Sequence, residues 1–223
     1  MIVVHHLHQS RSQRIPWLLE ELGVPYELVD HGRIRGLAPP GLEAVHPLGK
    51  APVIVDDGRV VAESGAIITY LVERYGKGRL GPPEDTDARL AWHYWMHYAE
   101  GSLMPLVVMR IVFARMQRAR WPVRTLARAV LKPVSKSYLQ PNLDKHIDWV
   151  DAALEERPWF AGNDFTAADI QMSVPLLALA RGGHPYAHAM PNIHAFIGRM
   201  SKRDGYRRAS ERIQACELHG GDA

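Results

Sequence analysis

The most constraining feature of this sequence is a switch of pattern close to its beginning. Residues 2–7 are rich in β-branched side chains and predict a strand. After a polar break, apolar residues recur at the spacing of an amphipathic helix: Ile15, Leu18, Leu19 and Leu22. Residues 26–29 predict a second strand. Because a crossover of this length joins parallel neighbours, we expect the first two strands to be parallel.

The next strong signal is a β-hairpin. Asp57-Gly58 separates two apolar runs, residues 52–55 and 60–62, as in a tight hairpin turn. An amphipathic pattern over residues 67–75 then predicts another helix. The order β-α-β, loop, β-β-α matches a thioredoxin-like α/β domain whose four-stranded sheet contains both parallel and antiparallel pairs.

Strand signals nearly disappear in the second half of the chain. We expect a long helix over residues 86–117, bent at Pro105, because proline bends helices. Shorter helices are expected near residues 123–130, 134–156, 167–180, 193–201 and 206–216. The resulting domains are residues 1–77 (thioredoxin-like), a Gly- and Pro-rich linker at 78–85, an all-helical bundle at 86–218 and a tail at 219–223.

Composition is ordinary for a folded soluble protein, with 47% hydrophobic and 23% charged residues. The N-terminus lacks the basic, then apolar pattern of a secretory signal, and no run approaches the roughly 20 apolar residues of a membrane helix. A single cysteine, Cys216, excludes an internal disulfide and a C-x-x-C redox pair. These features fit a reducing compartment, and we expect a cytoplasmic protein.

The charge is mildly basic and unevenly spread. No Asp or Glu occurs from residue 101 to residue 143. The basic residues there are Arg110, Arg115, Arg118, Arg120, Arg124, Arg128, Lys132 and Lys136. A solvated helical face is the usual meaning of such a run. A field that attracts anionic ligands, or a weak peripheral contact with an anionic membrane, is the alternative. Nucleic acid is not an expected partner, because no recognition motif accompanies the charge.

The histidines suggest a metal site only superficially. His5, His6 and His8 are close in sequence, but alternation along a strand sends His5 and His6 to opposite faces. No Cys or carboxylate spacing supports a zinc site. No metal is therefore expected.

Four short motifs resemble the glutathione S-transferase superfamily of cytosolic type. They are residues 46–52 (HPLGKAP), 62–67 (AESGAI), 98–105 (YAEGSLMP) and 165–170 (FTAADI). The third motif is similar to that of a branch found in fungi and bacteria. The resemblance covers nearly the whole chain. It implies a glutathione-binding first domain, a helical second domain that supplies the pocket for the electrophile, and a homodimer.

The resemblance places Ser10 at the Ser or Cys position that stabilises the glutathione thiolate. A free thiol has a pKa of about 8.5, so an enzyme gains rate by stabilising the thiolate with a hydroxyl donor at a helix N-terminus. Ser12 is the alternative donor. Capping of the first helix by either serine remains a purely structural alternative.

The other glutathione contacts also follow from the resemblance. A cis Ala51–Pro52 bond would let the Ala51 backbone pair with the cysteinyl backbone of glutathione like an added strand. Ser64 would cap the third helix and leave its N–H groups for the γ-glutamyl carboxylate. Glu63 would accept the ammonium of glutathione, and Lys50 would meet a carboxylate.

Most aromatic residues of the long helix are expected in the core. Tyr98, Ser102 and Met109 are our predictions for the electrophile pocket beside Ser10. Thr166 and Asp169 form a variant of the capping box, and we expect them to hold the helical domain together.

The leading functional hypothesis is conjugation of glutathione, the co-substrate, to hydrophobic electrophiles, as in detoxification. Peroxide reduction by the same thiolate and a non-catalytic glutathione-binding or regulatory module are the alternatives. A thiol-transferase of the glutaredoxin type is disfavoured, because Ser10 and Ser12 stand where it needs cysteine.

Overall fold

In a computed structural model, which describes residues 1–34, 36–181 and 190–219, the first half of the chain forms a four-stranded mixed sheet. Its strands are β1 (Ile2–His6), β2 (Tyr26–Asp30), β3 (Val53–Asp56) and β4 (Arg59–Ala62), in the order β2-β1-β3-β4. β1 is parallel to β2 and antiparallel to β3, and β3 and β4 form the hairpin. The predicted thioredoxin-like sheet is therefore confirmed.

Three helices accompany this sheet: α1 (Arg14–Leu22), α2 (Gly41–Val45) and α3 (Ser64–Tyr75). The apolar stripe of α1 is buried as its spacing predicts, and Gly23 ends the helix in the left-handed conformation, with φ of 66°. Neither Ser10 nor Ser12 caps α1 directly, because a 3-10 turn (Arg11–Gln13) intervenes. Ser10 caps that turn instead.

The second half is helical, as predicted. Its helices are α4 (Thr86–Tyr98), α5 (Met104–Gln117), α6 (Val123–Val134), α7 (Gln140–Ala153), α8 (Ala167–Arg181), α9 (Pro191–Ser201) and α10 (Asp204–His219). The helix expected over 86–117 is present without a gap, but a π-helical turn (Ala99–Leu103) interrupts its α-helical geometry between α4 and α5. A second π-helical turn (Ser135–Leu139) precedes α7.

The two halves share one core, and α10 is fastened to the first domain. The Trp17 ring on α1 lies 5.6 Å from the Phe165 ring and 5.0 Å from the Tyr206 ring. Arg203, just before α10, pairs with Glu21 of α1 at 2.8 Å, and Arg208 of α10 pairs with Glu20 of α1 at 2.8 Å. Further along α10, Arg212 Nη2 donates to the Tyr26 carbonyl of β2 at 3.1 Å, so this helix also lies beside the sheet.

Asp169 lies at the start of α8 and is fully buried. It accepts hydrogen bonds from the backbone N–H groups of Phe160 and Thr166, both at 2.8 Å. This is the structural arrangement expected of the 165–170 motif.

The basic stretch from 101 to 143 runs along α5, α6 and the π-helical turn that follows. Its basic side chains are exposed except that of Arg110, which is half-buried, and this fits the interpretation as a solvated face. Within the part of the chain that the structure describes, none of the helices has the length and apolar character needed to cross a membrane.

Candidate functional site

A cavity of about 730 Å³ lies between the two halves of the molecule. One wall comes from turns of the first domain and includes Gln9, Ser10, Arg11, Lys50, Ala51, Glu63 and Ser64. The facing wall is apolar and comes from α5 and α8: Met104, Val108, Ile111, Val174, Leu177 and Ala178. We call these the polar wall and the apolar wall. The lining therefore includes Ser10 and all the residues that the resemblance assigned to glutathione binding: Lys50, Ala51, Pro52, Glu63 and Ser64.

The two candidate serines have different positions. Ser10 lines the cavity, whereas Ser12 is fully buried and does not. The Ser10 hydroxyl accepts the Ser12 backbone N–H at 3.1 Å and lies 2.7 Å from the Ser12 hydroxyl. Ser10 thus caps the turn and also lines the cavity, so the capping and binding interpretations are compatible for this residue.

The loop before β3 depends on one glycine. Gly49 has a φ of 54°, which favours glycine, and a Cβ there would lie 2.8 Å from Glu43 Cγ, so any larger residue would require the Glu43 side chain to move. The Ala51–Pro52 peptide bond that follows is cis, as the resemblance implied. Lys50, Ala51 and Pro52 all line the cavity.

The start of α3 differs in detail from the prediction. Ser64 does not cap the helix; it is its first residue, and its hydroxyl accepts a hydrogen bond from Arg14 Nη1 at 3.0 Å. Glu63 occupies the capping position without a capping hydrogen bond, at a φ of 70°. This backbone region favours glycine and is costly for other residues, and such strain is concentrated at functional sites. Retention of a carboxylate here supports a binding role.

A buried arginine connects this corner to the second domain. Arg14 is fully buried and pairs with Glu100, with its Nη1 2.5 Å from Oε1. Arg11 Nε lies 3.0 Å from the other oxygen of the same carboxylate. Glu100 belongs to the π-helical turn that precedes α5. Its contacts with Arg11 and Arg14 connect that turn to the start of α1, and Arg14 in turn contacts Ser64. Sequence reasoning missed this pair, although Glu100 lies within the 98–105 motif.

The polar part of the lining is predominantly cationic. Its charged groups are Arg11, Arg33, Lys50, Arg181 and Glu63. Arg33 Nε donates to the His8 carbonyl at 2.7 Å, which secures the loop beside Gln9. A ligand with more carboxylates than ammonium groups matches this charge pattern.

The structure does not place the residues predicted for the electrophile pocket on the cavity. Tyr98 is buried and its hydroxyl contacts His146 Nδ1 at 2.5 Å. Met109 packs against the core, and Ser102 lies in the π-helical turn. The turn holds one more residue than an α-helical turn, which rotates the following positions by about 100° relative to a continuous helix. Met104, Val108 and Ile111 consequently face the cavity.

Within residues 1–34, 36–181 and 190–219, no three His, Cys, Asp or Glu side chains form a group that could hold a metal ion. His5 pairs with His31, while His6 points to the other side of the strand. Cys216 is half-buried on α10, away from the cavity lining, and burial raises the pKa of its thiol.

Two family models match the chain. One is described as the N-terminal domain of glutathione S-transferase and matches residues 4–83; the other is described as the C-terminal domain and matches residues 109–204. Glutathione S-transferase 3 of Schizosaccharomyces pombe is 37% identical over 217 residues, which covers 96% of this chain and 88% of the relative.

Solved structures are similar over nearly the whole length. A glutathione S-transferase from Actinobacillus pleuropneumoniae has a TM-score of 0.79 at 32% identity, covering 95% of this chain and 92% of the other. A glutathione transferase from Phanerochaete chrysosporium, solved in complex with oxidized glutathione, has a TM-score of 0.75. That structure is 18% identical and covers 96% of this chain and 97% of its own, so it speaks for the fold alone.

Proposed function

The chain belongs to the glutathione S-transferase family, and we propose that it conjugates the glutathione thiolate to hydrophobic electrophiles. The observation that carries this proposal is the position of Ser10, which lines a cavity with a polar wall on one side and an apolar wall on the other. A thiolate held there would face an electrophile held by α5 and α8.

Glutathione matches the polar wall in charge. The tripeptide carries two carboxylates and one ammonium group, and the wall offers several cations and the Glu63 carboxylate. The γ-glutamyl carboxylate would bind at Ser64, where the first N–H groups of α3 favour an anion. Glu63 would accept the ammonium, Lys50 would meet a carboxylate, and the Ala51 peptide would pair with the cysteinyl backbone.

Ser10 is the group we assign to the thiolate. A hydroxyl donor at a developing anion stabilises it strongly, because the site is partly shielded from water. The positive end of the 3-10 turn and α1 adds to this effect. Ser12 is buried behind Ser10, so it is not our choice for direct contact with the sulfur.

The apolar wall would receive the electrophile. Its side chains are aliphatic or sulfur-containing, and they supply dispersion and desolvation without a fixed set of hydrogen bonds. Such a wall discriminates by size and shape. We therefore propose a preference for hydrophobic electrophiles and a role in detoxification.

The setting of the enzyme is also part of the proposal. We propose a cytoplasmic homodimer with a glutathione-binding domain at 1–77, a linker at 78–85 and a helical domain at 86–218. A single cysteine suits a reducing compartment. Sedimentation equilibrium tests the dimer.

The test of function combines binding and turnover. Isothermal titration with glutathione should show binding, and a model aryl halide should be conjugated. A hydroperoxide panel measures the alternative reaction of the same thiolate. Tight binding without turnover across both panels would instead identify a non-catalytic module, and it would contradict the proposed transferase activity.

A further inference from the structure

Behind Ser10, a line of hydrogen-bonding groups runs away from the cavity to the C-terminal helix. The Ser10 and Ser12 hydroxyl oxygens are 2.7 Å apart. The Ser12 hydroxyl lies 2.8 Å from His6 Nδ1, and His6 Nε2 lies 3.1 Å from Glu217 Oε1. His6 is at the end of β1 and is fully buried, while Glu217 lies on α10 and is partly exposed.

The chemistry of the groups sets the direction of this line. Glu217 is a carboxylate and can only accept, so His6 Nε2 carries a proton and donates it. His6 Nδ1 of the neutral ring is therefore an acceptor, and the Ser12 hydroxyl donates to it. The Leu7 carbonyl, 3.3 Å from the Ser12 oxygen, is a longer alternative acceptor. Ser10 then donates to Ser12, and the Ser10 oxygen is open to a donor in the cavity.

We propose that Ser12, His6 and Glu217 form a proton relay that takes the thiol proton of glutathione bound at Ser10. This inference rests on the proposed function, because it needs the thiol at Ser10. The S–H bond breaks and its proton passes to Ser10 Oγ. The Ser10 proton passes to Ser12 Oγ, and the Ser12 proton passes to His6 Nδ1. Both serines are neutral before and after, and the products are a thiolate and an imidazolium.

Both end states satisfy every hydroxyl on the line. Before transfer, Ser10 accepts the Ser12 N–H and donates to Ser12 Oγ, while Ser12 accepts the Leu7 N–H at 3.2 Å and donates to His6. After transfer, Ser12 accepts from Leu7 and from His6 Nδ1, and donates to Ser10. Ser10 then donates to the sulfur. The hydrogen bond that stabilises the thiolate thus arises from the same proton movement that creates it.

The surroundings of His6 determine when it holds a proton. Burial lowers the pKa of His6, whereas the Glu217 carboxylate and Asp30 on β2 oppose that effect, and His8 adds to it. His31 and Cys216 are the other titratable groups nearby. In the free protein His6 is therefore neutral and ready to accept. In the complex the imidazolium lies between two anions, Glu217 and the thiolate, which stabilise it.

Glu217 also gives the relay contact with solvent. It lines an adjoining pocket of about 250 Å³ together with Trp17, Tyr206 and Ile213, and this pocket shares Gln9, Gln13 and Arg181 with the main cavity. The line therefore starts at the main cavity and ends at a partly exposed carboxylate on α10. This assigns a function to the C-terminal helix, and it explains why the buried Ser12 is a hydroxyl residue.

The test measures the pKa of the bound glutathione thiol by ultraviolet difference spectroscopy across a pH series. Glu217→Gln keeps an acceptor for His6 but removes the charge, and it should raise that pKa by about one to two pH units. Ser12→Ala breaks the line and should bring the pKa back towards the free value of about 8.5. Glu211→Gln is the matched control, an exposed residue of the same helix, and should change nothing.

Proton release provides a readout that a structural role would not alter. At neutral pH in weak buffer, the wild-type protein should release less than one proton per thiolate formed, because His6 retains it. The Ser12→Ala protein should release one proton per thiolate formed. Binding of S-methylglutathione, which has no thiol, verifies the fold of each variant.

Two results would overturn the inference in distinguishable ways. If Glu217→Gln and Ser12→Ala bind S-methylglutathione normally and leave the thiol pKa of bound glutathione at its wild-type value, no relay operates. If the wild-type protein binds no glutathione, the proposed function fails and the relay fails with it.

Discussion

The polar wall of the cavity consists of turns and element ends, whereas the apolar wall consists of the faces of two helices. Ser10, Ala51 and Glu63 take their positions from a capped turn, a cis peptide bond and a strained residue before α3. Val108 and Ile111 take theirs only from the rotation of α5. The local conformation of the turns therefore determines the positions of the residues in the polar wall. The rotation of α5 about its axis determines the positions of Val108 and Ile111 in the apolar wall.

This difference should appear in how the two walls respond to substitution. A change in the polar wall should affect every electrophile equally, because it alters the thiolate or the binding of glutathione. A change in the apolar wall should alter the activity toward one electrophile more than toward another, and it should leave the binding of glutathione unchanged. The four predictions that follow test this contrast, and they are ordered by the size of the expected effect.

Ser10→Ala should have the largest effect. It removes the donor to the thiolate, and loss of one such donor lowers turnover by about 10²-fold or more. The fall in kcat/KM should be the same for small and large electrophiles. Ser137→Ala, an exposed serine of the second π-helical turn, is the control. Unchanged kinetics in Ser10→Ala would remove Ser10 from the mechanism.

Glu63→Gly should raise the KM for glutathione by about tenfold, because it deletes the acceptor for the ammonium. It should also raise the free energy of unfolding by about 1 kcal/mol, because glycine relieves the positive φ. Chemical denaturation checks the second effect. Glu73→Gly, in the exposed interior of α3, should instead destabilise by about 1 kcal/mol and leave KM unchanged. If Glu63→Gly and Glu73→Gly lowered the free energy of unfolding equally, Glu63 would not be strained.

Ile111→Ala should act on the electrophile alone. The shortened side chain loses contact worth about 1 kcal/mol, which lowers kcat/KM about fivefold for a bulky electrophile and less for a small one. The KM for glutathione should stay constant. Val112→Ala changes a neighbouring exposed residue that does not line the cavity, and it should have no effect. If Ile111→Ala and Val112→Ala lowered kcat/KM for the bulky electrophile equally, the electrophile would bind elsewhere.

The smallest effect is expected for Ser102→Ala and Met109→Leu, which change residues away from the cavity lining. Each should alter activity and stability by no more than about 0.5 kcal/mol. Steady-state kinetics with the same pair of electrophiles measures this. A selective loss for one electrophile in either variant would mean that the apolar wall extends around α5 further than the structure indicates.

The same contrast explains what the sequence could predict. Hairpin turns and amphipathic spacing leave a signal within a few residues, so the sheet and its helices were predictable from the pattern. The roles of Ser10, Pro52 and Glu63 followed only from the resemblance to a known family. The rotation of α5 about its axis was not predictable, because nothing in residues 98–105 shows that the backbone forms a π-helical turn.

Contacts between residues far apart in the sequence were equally unpredictable. Glu217 meets His6, and Glu100 meets Arg14, only after both domains have packed. A buried charge such as Arg14 requires a partner, but the sequence does not say which carboxylate provides it.

A crystal structure of the protein with glutathione tests the central claim most directly. The account predicts the sulfur within hydrogen-bonding distance of Ser10 Oγ, facing Val108 and Ile111, with the γ-glutamyl carboxylate at the first N–H groups of α3. A tripeptide bound with its sulfur away from Ser10, or outside the cavity between the two walls, would contradict it.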